Sequence, residues 1–234
     1  MAVFRRLFFA ALCAGLLAGV FAAAAHQIAT VPIILKAEIY EGAAQHNATP
    51  AHSHAAAHEA AGTAWMPENG AERTAYTLLA EILAGIGFAL VLSAGLALRG
   101  GDVTWRDGLL WGLAGFLVFT AAPALGLPPE LPGTEPAPLL ARQAWWLATA
   151  ASTGCALALL AFRRQPVWLV LAAVLIVAPH VYGAPQPAEQ VGAAPEALAH
   201  QFVVAVTVVS FLFWIVLGAT TGYFYRRFTP RPSY

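Results

Sequence analysis

Charged residues are scarce in this chain, and their scarcity excludes a water-soluble globular fold. Of its 234 residues, 10% are charged and 59% are hydrophobic, against about 25% and roughly 45–50% in an ordinary soluble domain. So few charges could not cover the surface of a protein surrounded by water. We therefore expect most of the chain to lie in a lipid bilayer.

The sequence also lacks a surplus of basic residues and has little cysteine. Its twelve Lys and Arg residues balance twelve Asp and Glu residues, so no excess positive charge is available for a nucleic-acid backbone, and we expect no nucleic-acid partner. The two cysteines, Cys13 and Cys155, lie in separate apolar segments and form no CxxC pair. We interpret them as buried packing residues rather than as a disulfide or a metal site.

Catalytic motifs are missing as well. The sequence contains no nucleophile elbow, Walker loop, dinucleotide-binding fingerprint or HExxH motif, each of which supports a common type of hydrolytic or cofactor chemistry. We therefore predict that the protein is not an enzyme and that it holds no permanently bound cofactor.

Long apolar runs are abundant instead. Six of them approach the roughly 20 residues that cross a bilayer as a helix, which predicts an all-α, polytopic transmembrane helical bundle that forms a single domain over residues 1–234. Five spans are the alternative, because the first run also resembles a cleaved secretory signal and the fifth is short. The six runs are Leu7–Ala25, Leu78–Leu98, Leu109–Leu125, Gln143–Phe162, Val167–Tyr182 and Phe202–Phe224.

The placement of basic residues predicts that both termini are cytoplasmic. Lys and Arg are retained on the cytoplasmic side of short loops, and in the six-span arrangement nine of the twelve basic residues fall on one side. The other side, which we predict to face outwards, keeps only Lys36, Arg73 and Arg142.

Hairpins of successive spans share features that suggest an internal repeat. Residues 122–128 resemble residues 178–185, and each segment ends a span that runs outwards. Residues 73–76 are a fainter echo of residues 142–145, which would make the first hairpin a third copy. Such repeats give many transporters a pseudo-symmetry axis along the membrane normal. The alternative is that any such hairpin needs proline and glycine at its turn.

Imidazole and carboxylate groups concentrate on the predicted outer side. All seven histidines and nine of the twelve acidic residues fall there, and borderline divalent metals such as Co²⁺ prefer these ligand types. The densest patch lies in a predicted flexible loop at residues 42–72, which functions in metal capture or is a solvated insertion. Its candidate metal ligands are His46, His52, His54 and His58.

The segment after the first span, residues 26–41, is largely apolar but is interrupted by Pro32. It predicts a re-entrant helix, or an amphipathic helix that lies on the lipid headgroups. On a helix, Glu38 and Glu41 would share one face. These two carboxylates and His26 are further candidate metal ligands.

Two candidates lie within apolar runs. An ionised carboxylate there costs about 2.5 kcal/mol or more, so Glu81 is expected to face a partner or an aqueous path. We interpret Glu81 and His180 as residues that line a path for the ion. The main alternative is a structural ion pair of Glu81 with Arg73 or Arg142. The remaining candidate ligands are Glu130 and His200.

Several strings in the sequence together resemble the CbtA-type cobalt transporter subunits. The most specific are Gly-Leu-Pro-Pro-Glu-Leu-Pro-Gly at residues 126–133 and Pro-His-Val-Tyr-Gly-Ala-Pro-Gln-Pro at residues 179–187. The others occupy residues 5–8, 31–41 and 142–146, so the resemblance covers nearly the whole chain.

This resemblance implies a multi-pass protein of the bacterial inner membrane, with about five spans, that takes up Co²⁺ for cobalamin synthesis. It also implies a small, single-span partner of the CbtB type with a histidine-rich end. A second copy of the chain is a further candidate partner within the bilayer.

Two other functions remain open from the residues alone. One is a membrane haem or electron-transfer subunit that uses two of His26, His180 and His200 as axial ligands. The other is a non-transporting sensor or assembly subunit whose outer loop detects metal.

Overall fold

The part of the chain that the structure describes is almost entirely helical. The structure is a computed structural model, and it describes residues 2–47, 67–68, 70–163, 165–187 and 192–229. The helices are α1 (Ala2–Ala29), α2 (Val31–Asn47), α3 (Ala71–Arg99), α4 (Trp105–Phe116), α5 (Ala122–Ala124), α6 (Leu139–Phe162), α7 (Pro166–Tyr182) and α8 (Glu196–Arg227). A π-helical turn, Leu117–Ala121, joins α4 to α5.

Five candidate membrane spans among the described residues confirm a polytopic helical bundle. They are α1, α3, the continuous segment from α4 to α5, α6 and α8. The helix α7 has 17 residues, which at about 1.5 Å per residue makes it ~26 Å long, against a hydrocarbon core of ~30 Å. The shortest of the six apolar runs therefore forms an apolar helix just below the length of a full span.

Small residues place α1 at the centre of the bundle, between α3 and α8. Ala11, Ala14, Ala18 and Ala22 form a stripe at helical spacing that is at most 1% exposed. Next to this stripe, a β-carbon at Gly15 would collide with the backbone of α3. Small residues allow helix backbones to approach closely in a membrane. The first apolar run is therefore packed as a central helix of the bundle.

Glycines also hold α4 against α8. Gly108 and Gly112 face Gly218 and Gly222, and a β-carbon at any of the four would overlap the backbone of the opposite helix. Both pairs have the four-residue spacing of small-xxx-small motifs. With α1 and α3, these two helices form a four-helix core that includes the buried ring of Trp214.

The hairpin of α6 and α7 lies outside the four-helix core. The helix α7 packs chiefly against α6, and α6 reaches the core mainly through the π-helical turn and α5. By contrast, α1 packs directly against α3, and α4 packs against α8. The three hairpins that resemble repeats in sequence correspond to α1 with α3, α4 and α5 with α6, and α7 with α8. Because α1 packs directly against α3 whereas α7 packs chiefly against α6, these hairpins are not packed as equivalent units. Cys155 of α6 is exposed, so its interpretation as a buried packing residue is wrong.

Contacts between helix termini define two ends of the bundle. At one end, which we call the arginine end, the Arg6 guanidinium of α1 donates a 2.6 Å hydrogen bond to the Tyr225 hydroxyl of α8. At the opposite end, which we call the histidine end, His26 of α1 contacts Glu81 of α3. Because consecutive long helices run in opposite directions, the described candidate metal ligands all belong to segments at the histidine end.

The chain turns at Thr30 between α1 and α2. Pro32 lies in the first turn of α2, where its missing N–H group removes no helical hydrogen bond. The helix predicted within residues 26–41 is thus present, but it is divided at this turn. Through Ala37, α2 packs on Leu131 and on the first turns of α8. The helix also extends into the predicted loop at residues 42–72.

Candidate functional site

An imidazole and a carboxylate meet at the histidine end, between α1 and α3. Nε2 of His26 lies 3.5 Å from Oε1 of Glu81, and the two side chains are 22% and 27% exposed. Glu81 follows the first residue of α3 by ten positions, which places it about 15 Å along the helix. Gly19 packs against the α3 backbone beside Glu81, and this close approach of the two helices brings His26 within reach.

Thr30 holds the ring of His26 by its Nδ1 atom. The Thr30 hydroxyl lies 3.1 Å from the His26 carbonyl oxygen, to which it donates, and 2.9 Å from Nδ1 of the ring. Thr30 is only 3% exposed, which protects both contacts from water. With Nδ1 held in this way, Nε2 is directed at Glu81.

The facing atoms of His26 and Glu81 form a ligand pair that suits a divalent cation. Nε2 of His26 and Oε1 of Glu81 face each other at 3.5 Å. Imidazole and carboxylate are suitable ligands for Co²⁺. The arrangement therefore offers two donor atoms to one metal ion.

Two other candidate carboxylates are paired with arginines. Nη1 of Arg73 donates to Oε1 of Glu38 at 2.9 Å, and Nη1 of Arg142 lies 3.6 Å from Oε2 of Glu130. A neighbouring guanidinium neutralises much of the charge that a carboxylate offers to a metal ion. The described ion pair of Glu81 is with His26, whereas those of Arg73 and Arg142 are with Glu38 and Glu130.

Glu130 and Arg142 border a cavity of about 600 Å³ that is also lined by the π-helical turn. In this turn the hydroxyl of Thr120 accepts a 3.2 Å hydrogen bond from Nε1 of Trp214. The ring of Phe119 stacks on the same tryptophan, with 5.8 Å between ring centroids. Because π-helical turns frequently occur at functional sites, the cavity is a candidate part of an ion path.

His180 of α7 is held by contacts with α5 and α6. Its Nε2 lies 3.1 Å from the carbonyl oxygen of Ala122, and since a carbonyl only accepts, Nε2 carries the hydrogen. Trp145 donates from Nε1 to the carbonyl of Pro179 at 3.1 Å and packs edge-on against the His180 ring. Within the described residues, Nδ1 of His180 is buried without a hydrogen-bond partner.

The remaining candidates are not assembled with these groups. Glu41 packs beside Gly133, and His200 is exposed near the start of α8. Among the residues that the structure describes, no group of three or more His, Cys, Asp or Glu side chains could hold a metal ion. Four histidine side chains lie outside the described part of the chain: His46, His52, His54 and His58.

Two contributors to these contacts are absent from the sequence-based candidates. Thr30 lies four residues after His26, a spacing that places two side chains on the same helix face and could have indicated their contact. Trp145 has no comparable local signal. Its contact with His180 depends on how α6 packs against α7.

A family model described as "Probable cobalt transporter subunit (CbtA)" matches residues 4–226, which is nearly the whole chain. The matched range extends from the first turn of α1 to the last turn of α8. No curated protein and no solved structure matches the chain significantly.

Proposed function

Because the chain belongs to the CbtA family of probable cobalt transporter subunits, we propose that it is the membrane subunit of a Co²⁺ uptake system and passes the ion between α1 and α3. The observation that carries this proposal is the 3.5 Å approach of Nε2 of His26 to Oε1 of Glu81. The incoming ion binds between these two atoms. Thr30 orients the imidazole from behind, as supporting residues do at metal sites.

Weaker donors at the histidine end collect the ion before it reaches Glu81. An ion path must bind strongly enough to admit the ion and weakly enough to release it. The arginine partners of Glu38 and Glu130 reduce the affinity of these carboxylates for a cation, and this favours transfer inwards to Glu81. The other collecting residues in this proposal are Glu41, His200, His46, His52, His54 and His58.

His180 has a different part in the proposed path. Its ring is fixed between Ala122 and Trp145, so it shapes the wall of the path and keeps the α6–α7 hairpin closed. The cavity beside Glu130 is also lined by Pro123 and Ala124, which follow Ala122 in the chain. In this proposal the ion approaches the wall through that cavity.

The family and the charge distribution support a proposal for the cellular setting. We propose that the protein lies in the bacterial inner membrane with both termini cytoplasmic, since basic residues concentrate at the arginine end. The histidine end then faces outwards and receives Co²⁺ for cobalamin synthesis. The proposed partners are the lipid bilayer, a small single-span subunit of the CbtB type with a histidine-rich end, and a second copy of the chain.

Co²⁺ flux into proteoliposomes tests this function, first with this chain alone and then with a CbtB-type subunit. We expect Glu81→Gln to lower the flux by at least about tenfold, the equivalent of ~1.4 kcal/mol of lost ion binding, because an amide cannot be ionised. Glu72→Gln is the matched control, since Glu72 lies on the same helix and is exposed. We expect it to leave the flux unchanged.

Two outcomes would contradict the proposal. Equal flux through wild type and Glu81→Gln would show that the ion does not pass between α1 and α3. An absence of Co²⁺ flux both with and without the small subunit would show that the protein does not transport Co²⁺.

The described contacts favour neither alternative function. A haem subunit needs two of His26, His180 and His200 as axial ligands, but His26 and His180 are engaged by different helices and His200 is exposed. Purified protein without Soret absorbance would end that hypothesis. A sensor or assembly subunit would lose signalling but keep ion flux when residues 46–58 are deleted.

A further inference from the structure

A second polar cavity lies at the arginine end, at the opposite end of the bundle from the His26–Glu81 pair. Its volume is about 530 Å³, within the range of roughly 300–1,000 Å³ that is usual for small-ligand sites. The start of α1, the loop from α3 to α4 and the end of α8 form its walls. In that loop Gly100 and Gly101 have positive φ angles of 70° and 74°, so the chain passes the cavity without a side chain at either position.

Arg6 is positioned at this cavity before any ligand arrives. One of its terminal nitrogens donates to the Tyr225 hydroxyl at 2.6 Å, and the other lies 3.4 Å from the Thr229 hydroxyl. The guanidinium carbon also lies 4.3 Å from the centroid of the Tyr225 ring. Within the described residues, Nε of Arg6 is buried and has no hydrogen-bond partner. The contacts with Tyr225 and Thr229 therefore hold the guanidinium group in a fixed orientation at the cavity wall.

The charges that line the cavity favour an anion. Arg6 and Arg226 contribute two positive charges, whereas Asp102 contributes one negative charge. The other nearby acid, Asp107, is already bound to Arg99 at 2.9 Å and completes the N-terminal capping box of α4. The first turn of α4 is thus satisfied within the chain, and the excess positive charge comes from the two guanidinium groups.

We propose that this cavity binds a phosphate group, supplied by an anionic phospholipid headgroup or by free phosphate. Guanidinium groups match phosphate oxygens in charge and in geometry. Basic pockets between membrane helices at the cytoplasmic side are suited to anionic headgroups, and in the orientation proposed above the junction of α1 and α8 is such a place. The hydroxyls of Thr104 and Thr229 also line the cavity, but they donate within the chain, to Asp107 and to the Tyr225 carbonyl. The two guanidinium groups therefore supply the donors for the phosphate.

Titration of the detergent-purified protein with short-chain phosphatidylglycerol, and separately with inorganic phosphate, tests the proposal by calorimetry. We expect saturable binding of at least one of these probes by the wild type. Arg226→Gln should weaken it about fivefold, because a basic residue near anionic headgroups contributes ~1 kcal/mol. Arg227→Gln is the matched control, since it removes the same charge from the next position of α8, and Arg227 does not line the cavity. We therefore expect it to change binding by less than about twofold.

Asp102→Asn tests whether the ligand is an anion or a cation, and it leaves Arg6 unchanged. Removal of the only acidic side chain in the described lining should strengthen phosphate binding about fivefold, by the same ~1 kcal/mol. Binding of phosphatidylglycerol alone assigns the phosphate to a lipid, and binding of inorganic phosphate alone assigns it to the free ion. The proposal is overturned if neither probe binds, if Arg227→Gln weakens binding as much as Arg226→Gln, or if Asp102→Asn weakens binding, as it would at a cation site.

Discussion

Two histidines at the same end of the bundle have different partners for Nε2. His26 is held by Thr30 at Nδ1 and directs Nε2 at Glu81. His180 holds its hydrogen on Nε2, which donates to the carbonyl of Ala122. The first ring therefore faces a charged group, whereas the second faces a neutral one.

This difference teaches that a histidine at the histidine end is not by itself a metal ligand. A carboxylate opposite an imidazole offers a cation two donor atoms. A backbone carbonyl opposite an imidazole forms an ordinary hydrogen bond that joins two segments. We therefore expect substitutions near His26 to change ion binding, and substitutions near His180 to change stability.

The largest expected effect lies on the His180 side. Trp145 is 6% exposed and donates to the Pro179 carbonyl, so Trp145→Ala removes both a buried ring and a hydrogen bond. We expect the free energy of unfolding in detergent to fall by ~3–5 kcal/mol. Denaturant titration followed by circular dichroism measures this change.

Leu160→Ala is the control for that experiment, because Leu160 belongs to the same helix but is 44% exposed. It should cost much less than Trp145→Ala. A loss below ~1 kcal/mol for Trp145→Ala, the size of a typical single-residue effect, would mean that this contact does not hold the hairpin.

A smaller effect is expected on the His26 side. Thr30→Val keeps the shape of the side chain but removes the hydroxyl that orients the imidazole. Loss of such a supporting group typically lowers metal affinity about 10–100-fold. Co²⁺ titration by calorimetry should show a fall in this range.

Thr30→Ser restores the hydroxyl and should recover most of the affinity. If Thr30→Val bound Co²⁺ as tightly as the wild type, the orientation of His26 would have no part in ion binding. The distinction between the two histidines would then fail.

The smallest effect concerns the arginine-paired carboxylate Glu130. Both side chains of its pair with Arg142 are about one-third exposed, and such pairs contribute no more than ~1 kcal/mol. Arg142→Gln should therefore change stability little and raise Co²⁺ affinity by less than about fivefold, because Glu130 loses its competing cation. Arg142→Lys keeps the charge and should behave like the wild type in the same titration. A fall in affinity for Arg142→Gln would contradict the idea that the arginine weakens ion capture.

The helical spans were predictable because hydropathy depends on local composition. Five of the six predicted runs coincide with helical segments long enough to cross a membrane. The remaining run, Val167–Tyr182, coincides with the shorter α7. Glu81 stands out for the same reason, since a carboxylate within an apolar run is costly wherever that run packs.

The partner of Glu81 was not predictable in the same way. Arg73 lies on the same helix and looked suitable, but it pairs with Glu38, 35 positions earlier in the chain. The contact with His26 depends on the register in which α1 packs against α3, which Gly15 and Gly19 permit. A small-xxx-small spacing can be read in a sequence, but the helix that it contacts cannot.

By itself, the sequence determined that the chain spans a membrane, where its helices lie and which acid is anomalous within them, because each of these properties depends on neighbouring residues along the chain. Only the tertiary structure decided which donors face each other and which group lies opposite Nε2 of each histidine. Those outcomes depend on contacts between helices that are distant in sequence, where a shift of one helical turn exchanges one partner for another.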